Sequence, residues 1–503
     1  LVSLPASKTT DAARRFWPPG GVLLCVLTAC ALFLFIDRPP LPIQLWDESR
    51  VVVNALEMHA QGFSLVTTYG WRPDLWNTKP PLLVWAMAAS LSVFGVSEFA
   101  LRLPTMLAAL GILGLVFGFT RRLSRSTWTA SLATILLTLS AGFFGEHAAR
   151  TADYDVPVSL FITAYAYVLF FLLHRRRPSW SRIALAALLI VAATMTKGIA
   201  GLTPGVGVVA YLLIVGRWRR ALTRPYLAMG LGAAIPVGAF LLAREQAAPG
   251  YLHAMLFNDL AGRFNTSFDK HGGPPWTYLN ICFGKGLFSC GWAAAATPLA
   301  LPIAKGRVRL GLMFSLCMAA GILGVDSLAA TKLLQYAVPA YPFLAIACVL
   351  AAHAMMQDLK NRDYKAARYS VAACLTIILI LYGGRSMALR YIVTPQAMYQ
   401  AQANYGELFA SLAHRGARRV RVIDGGVLGA SAMKGYTPQL RAEILIWRPL
   451  GLDVARARDL SEARATPDSY TVTCDPDFID TLRRLGGDVG AVSDCVALPP
   501  HPG

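Results

Sequence analysis

Pro80–Gly95 reads PPLLVWAMAASLSVFG, sixteen nearly unbroken apolar residues. A membrane-crossing helix needs about twenty, so the stretch is short for a crossing, and how it is counted sets the orientation of everything after it. Counted as a crossing, it sends the cluster Arg121, Arg122 and Arg125 to the outside; laid along the interface, it leaves that cluster in the cytoplasm. Lysine and arginine in short loops favour the cytoplasmic side, so we take Pro80–Gly95 as an interfacial helix.

The surrounding chain agrees with that choice. The first span runs from about Gly20 to Ile36. Arg14 and Arg15 precede it and no Ala-x-Ala-type exit follows, which predicts an uncleaved helix with a cytoplasmic N-terminus. An outer loop, residues 37–79, comes next. After the interfacial helix, spans at about Leu101–Thr120, Trp128–Phe144 and Val156–Leu173 return to Arg175, Arg176 and Arg177 inside. Two more end at Lys197 outside and at Arg217, Arg219 and Arg220 inside. Another, about Pro225–Ala243, opens a second outer loop, residues 244–278. The next reaches Lys305, Arg307 and Arg309, one exits near Asp326, and one from Lys332 returns to Lys360 and Arg362. A last span, about Tyr369–Tyr382, carries the chain outside. Every dense basic cluster between spans thus falls on one side.

Composition supports the same class. Of 503 residues, 55% are hydrophobic and 15% charged, with mean hydropathy +0.48; soluble domains carry about 25% charged residues. The fold expected is an α-helical polytopic membrane protein of about 11–13 transmembrane helices, residues 1–393, with a small extracytoplasmic α/β domain, residues 394–503. In that tail Arg419–Asp424 alternates like a half-buried strand, Tyr470–Cys474 is a second β candidate, and Phe478–Leu485 a short helix. The net charge of +19 is accounted for by the cytoplasmic loops, so no nucleic-acid partner is expected. Seven of the nine cysteines lie in or beside apolar spans and read as small buried hydrophobes; Cys474 and Cys495 lie in the tail and can pair if it faces an oxidising compartment.

The topology gathers polar groups on the outer side: Asp47, Glu48, Lys79, Glu146, His147, Asp153, Asp155, Lys197, Arg263, His271 and Lys332. Each has an ordinary reading alone. Asp47-Glu48 suits a helix N-terminus, Asp153-Tyr154-Asp155 suits the cap of the following span, and the lysines suit interface anchors. Together, carboxylates and cations spread over five outer connections suit another task. The cations can hold a phosphate leaving group while one carboxylate deprotonates an incoming hydroxyl. A transporter or lipid flippase for an envelope precursor is the alternative, but it calls for polar residues near mid-membrane, and the charges here lie at the boundary.

The residues Trp46-Asp47-Glu48-Ser49-Arg50 and Asn77-Thr78-Lys79-Pro80-Pro81-Leu82-Leu83 open a series of motifs. Glu98 to Pro104, Arg150 to Asp155, Thr196-Lys197-Gly198, Arg263-Phe264 with His271-Gly272, and Lys332 to Pro342 continue it in order. The series resembles the GT-C glycosyltransferases of the protein O-mannosyltransferase and aminoarabinose (lipid A) transferase type. That resemblance implies a polyprenyl-phosphate-linked sugar donor and a lipid, protein or glycan acceptor. It implies inverting transfer on the outer face of the bacterial cytoplasmic membrane. It implies Asp47 as general base supported by Glu48, with Asp155 the second-loop acid and Asp153 its competitor. Lys79, Arg263, Lys197 and Lys332 would contact the donor phosphate, and His271, Trp46 and Tyr336 the substrate. Some relatives carry a metal-associated carboxylate just before the Lys-Pro element. Thr78 stands there instead, so the sequence does not support a divalent metal and none is assigned.

Overall fold

The computed structural model describes residues 19–36, 41–45, 47–145, 147–262, 272–285, 287–389, 405–424, 437–489 and 495–500. The N-terminal Arg14-Arg15 and the site candidates Trp46, Arg263 and His271 lie outside them, as does Glu146.

The first apolar stretch forms helix α1, Pro19–Phe35. Asp47 opens α2, Asp47–Gln61, whose two leading acids favour the positive end of the helix dipole. A two-strand hairpin, β1 Thr68–Tyr69 and β2 Arg72–Pro73, turns the loop back. The deciding stretch becomes α3, Leu82–Phe94, 13 residues long. At 1.5 Å per residue it reaches about 20 Å, short of the roughly 30 Å hydrocarbon core. It packs Leu83, Val84, Met87 and Leu91 beside α2 and leaves Val93 and Phe94 exposed.

The long helices follow. Helix α4, Glu98–Ser124, is capped by Ser97, which accepts from Ala100 N, and ends on Arg121 and Arg122. Helices α5 (Thr127–Thr138), α6 (Asp155–Leu173), α7 (Trp180–Lys197), α8 (Gly205–Ile214) and α9 (Arg224–Ala247) continue the bundle. Helices α10 (Gly306–Leu328), α11 (Tyr341–Asn361) and α12 (Lys365–Ala388) complete it. Seven helices among the described residues are long and apolar enough to cross a membrane; α1, α3, α5 and α8 are shorter apolar helices. Aromatic rings from four helices lock the bundle: Phe119, Phe170, Tyr211 and Phe314 meet at centroid distances such as 5.2 Å for Phe119–Phe170 and 5.1 Å for Tyr211–Phe314. Helices α8 and α10 touch backbone to backbone at Gly207 and Gly321, where a Cβ on either would lie 2.5 Å from the other helix.

The span expected before Lys305 is not one regular helix. A π-helical turn, Asn280–Gly284, gives way to a 3₁₀ segment, Gly291–Ala300, interrupted by Pro298. Gly284 and Gly291 on the two sides of the break and a proline inside the 3₁₀ segment explain why the α-helical ladder does not run through.

The C-terminal region holds a five-stranded sheet in the order β4-β3-β5-β7-β6. Strand β3 (Arg419–Ile423) lies parallel to β4 (Asp453–Ala457) and to β5 (Tyr470–Thr473), and β7 (Val496–Leu498) runs antiparallel to β5 and to β6 (Asp488–Val489). The two strands and the helix expected from sequence are present, the helix as Pro476–Arg484. Cys474 and Cys495 are bonded, tying β5 to β7. Helices α13 (Tyr405–His414) and α14 (Pro438–Trp447) pack on one face of the sheet, and Ala442 and Ile446 of α14 share a buried cluster with Val51 and Leu56 of α2 and Val84 of α3.

Candidate active site

The acidic pair that opens α2 divides by environment. Asp47 is half-exposed and accepts a hydrogen bond from Gln335 Nε2 at 3.4 Å. Glu48 is fully buried. Its carboxylate pairs with Arg102 at 2.8 Å and accepts from the backbone amides of Gln44 and Ala152, both at 2.8 Å. Arg102 in turn donates to the carbonyls of Leu41 and Pro42. Glu48 therefore staples the start of α2 to α4 and to the connection between α5 and α6.

A second buried network fixes the loop that carries Lys79. Arg50 grips Asp74 with two hydrogen bonds, at 2.7 and 2.9 Å. Burial alone would raise the Asp74 carboxyl, but the hydrogen bond and charge of Arg50, with help from Asn77 and Asn54, hold it below the usual range. Asn77 donates to Tyr154 at 2.9 Å, and Tyr251 donates to the Thr78 carbonyl at 2.8 Å. Between these anchors Lys79 is half-buried, its ammonium 5.4 Å from the centre of the Tyr154 ring. Among the described residues it has no carboxylate partner. That leaves its charge available to an incoming anion.

The connection between α5 and α6 brings its acids toward Asp47. Asp153 accepts from His147 Nδ1 at 2.6 Å. Burial opposes the charge on His147, but the hydrogen bond and charge of Asp153, with Asp47 and Asp155, outweigh it and push the imidazole up to about 10. Its backbone is held at φ 56°, an uncommon conformation outside glycine. Asp47, His147 and Asp153 each place one donor atom within 4.8 Å of the others, a spacing that can hold a metal ion. The chemistry of the set pulls the other way: Asp153 holds the imidazole in its protonated form, and a metal ion needs a ring nitrogen that has lost its proton. His147 stood in the outer inventory without a role, because nothing in its local sequence says that it turns toward Asp153.

Asp155, at the start of α6, is buried and paired with Lys197 at 2.5 Å. Lys197 also lies 5.0 Å over the Tyr336 ring, so Tyr336 and this ion pair form one unit. Gly198 follows at φ +56°, a turn that glycine takes without penalty and that ends α7 right at the lysine. Lys332 is placed differently: its ammonium donates to the carbonyls of Ser327 and Ala329 at 2.9 and 2.5 Å, at the C-terminus of α10. That is the contact of a helix-end cation.

Three comparisons bear on this arrangement. The family model described as dolichyl-phosphate-mannose-protein mannosyltransferase matches residues 78–242. An undecaprenyl phosphate-alpha-4-amino-4-deoxy-L-arabinose arabinosyl transferase of Pseudomonas savastanoi pv. phaseolicola is 27% identical over 487 residues, 92% of this chain and 84% of that protein. A protein of the same description from Pseudomonas aeruginosa is 28% identical, over 82% of this chain and 72% of its own. In fold, the chain matches the crystal structure of ArnT from Cupriavidus metallidurans bound to undecaprenyl phosphate, with TM-score 0.62, 16% identity and 98% of each chain covered. The chain is a membrane glycosyltransferase, similar in sequence to the aminoarabinose transferases and in fold to the Cupriavidus structure.

Proposed function

We propose that this enzyme transfers a sugar from a polyprenyl-phosphate donor to a hydroxyl or phosphate group of a lipid, protein or glycan acceptor, at the outer face of the bacterial cytoplasmic membrane. The observation that carries the reading is the convergence of Asp47, His147 and Asp153 within 4.8 Å, with a half-buried Lys79 set against the ring of Tyr154, the neighbour of Asp153, and without a carboxylate partner among the described residues. The relatives described as undecaprenyl-phosphate sugar transferases support the donor class, and so does the polyprenyl phosphate bound in the Cupriavidus structure.

In this mechanism Asp47 accepts the proton of the acceptor as its oxygen attacks the anomeric carbon. The bond from that carbon to the phosphate oxygen breaks, and polyprenyl phosphate leaves with its negative charge held by Lys79 and by the Lys197 end of the Asp155 pair. A single displacement inverts the anomeric centre. The His147–Asp153 pair sits at the side of Asp47 and keeps positive charge there, which favours the ionised base. We read residues 1–393 as the transfer domain and 394–503 as an extracytoplasmic domain. The basic clusters on the opposite loops and the Cys474–Cys495 bond support that orientation.

The test is reconstitution of the purified chain with synthetic polyprenyl-phosphate sugars. Release of free polyprenyl phosphate together with a glycosylated envelope lipid, protein or glycan, read by mass spectrometry, is the expected result. Lipid flux across the vesicle wall without any glycosidic product would overturn the reading.

A further inference from the structure

We propose that Arg244 is a further phosphate-binding residue of this enzyme, a guanidinium that takes the phosphate of a lipid substrate on the far side of the Thr78–Lys79 segment. The proposal rests on the lipid-phosphate chemistry argued above and adds a residue that sequence alone left as the edge of a loop.

Arg244 stands in the last turn of α9 and is 2% exposed. Both of its terminal amino groups are buried and have no hydrogen-bond partner among the described residues. A buried guanidinium left in that state is costly, and native proteins rarely keep one without a use. The Tyr251 ring lies 4.6 Å from the guanidinium carbon. An aromatic ring attracts the cation through its face, yet the N–H donors lie in the guanidinium plane and still need acceptors. The negative end of the α9 dipole also favours the charge but satisfies none of those donors.

The two carboxylates whose charge reaches Arg244 are committed elsewhere. Glu245 accepts the backbone amides of Gly250 and Leu252 at 2.8 and 2.7 Å. Asp74 is held by Arg50, by Asn54 and by the amides of Trp76 and Asn77. The site therefore lacks one thing, an oxyanion with two acceptor atoms, and a phosphate presents these to a guanidinium fork. Its place fits a substrate phosphate. The Tyr251 ring that backs Arg244 is the one whose hydroxyl holds the Thr78 carbonyl, one residue before Lys79. The phosphate belongs either to the polyprenyl carrier or to the headgroup of a lipid acceptor.

The experiment measures binding, without sugar transfer, by native mass spectrometry and thermal shift on the full chain in nanodiscs. Undecaprenyl phosphate and dipalmitoyl phosphatidic acid are the two probes, and wild type, Arg244→Gln and Arg244→Lys the three proteins. The expected result is at least tenfold weaker binding of one probe by Arg244→Gln, partial recovery in Arg244→Lys, and a ligand-free melting temperature in Arg244→Gln equal to or above that of wild type. Loss for undecaprenyl phosphate assigns the carrier; loss for phosphatidic acid alone assigns the acceptor headgroup. Unchanged binding of both probes by Arg244→Gln, or a markedly lower ligand-free melting temperature, would overturn the proposal and leave the transferase reading standing. Wild type that binds no undecaprenyl phosphate would overturn both.

Discussion

Two neighbouring carboxylates at the start of α2 do different work, and substitution should separate them. Glu48 is buried against Arg102 and two backbone amides, so Glu48→Ala leaves a buried guanidinium short of its partner. Breaking a buried pair in this way costs about 3–5 kcal/mol, and the expected outcome is a large fall in unfolding midpoint. Asp47 is half-exposed, whereas Glu48 is fully buried. His147 gives a pH signature. Its folded value of about 10 exceeds the roughly 6.5 of an unfolded histidine, so the Asp153 pair stabilises the chain fully below the lower value. That contribution fades as pH rises and is lost through the upper one. The stability gap between wild type and His147→Gln should therefore shrink from pH 6 to pH 10; a gap that widened would refute the charged pair. Neither distinction was legible in the chain. Asp47 and Glu48 are adjacent letters, and only the approach of Arg102 from another helix tells them apart.

At the scale of elements, α2 is held from both ends. Glu48 fastens its first turn. Near its other end Glu57, with no side-chain exposure, accepts the Gly70 and Trp71 amides and pairs with Arg441 at 2.7 Å. Arg441 lies on α14, 384 positions away, so the C-terminal region braces the helix that carries Asp47. Arg441→Ala strips one partner from a buried carboxylate, a loss of about 1–3 kcal/mol. Proteolysis or hydrogen exchange should show the loop of residues 62–79 opening more often, with turnover reduced in step; unchanged exchange would separate α14 from the site. The helices themselves were readable, because apolar length and basic clusters are properties of the local chain. Strands β3 and β5 were readable for the same reason. Strand β4 and the docking of α14 on α2 were not, since they depend on partners distant in sequence. The interrupted segment 280–300 was apolar enough to pass for a helix until the geometry at its glycines was considered.

For the whole molecule, the membrane bundle supplies a rigid frame from whose ends several loops meet. Asp47 and Lys79 come from the connection after α1, His147, Asp153 and Asp155 from the connection between α5 and α6, and Lys197, Gln335 and Tyr336 from later helix ends. Sequence alone placed most of these groups on one side, through the bias of positive charge. It did not say which of them touch, and Lys332 shows the difference: it sits on the right side yet spends its charge on helix-end carbonyls. The central claim is that this assembly transfers a sugar with Asp47 as the base. The most direct measurement is single-turnover transfer from a bound polyprenyl-phosphate sugar by purified wild type and Asp47→Asn, with folding and donor binding checked in the same samples. The account predicts that Asp47→Asn binds the donor and melts like wild type but loses at least a hundredfold in rate, the lower range of general-base contributions. A variant that turns over at the wild-type rate would contradict it.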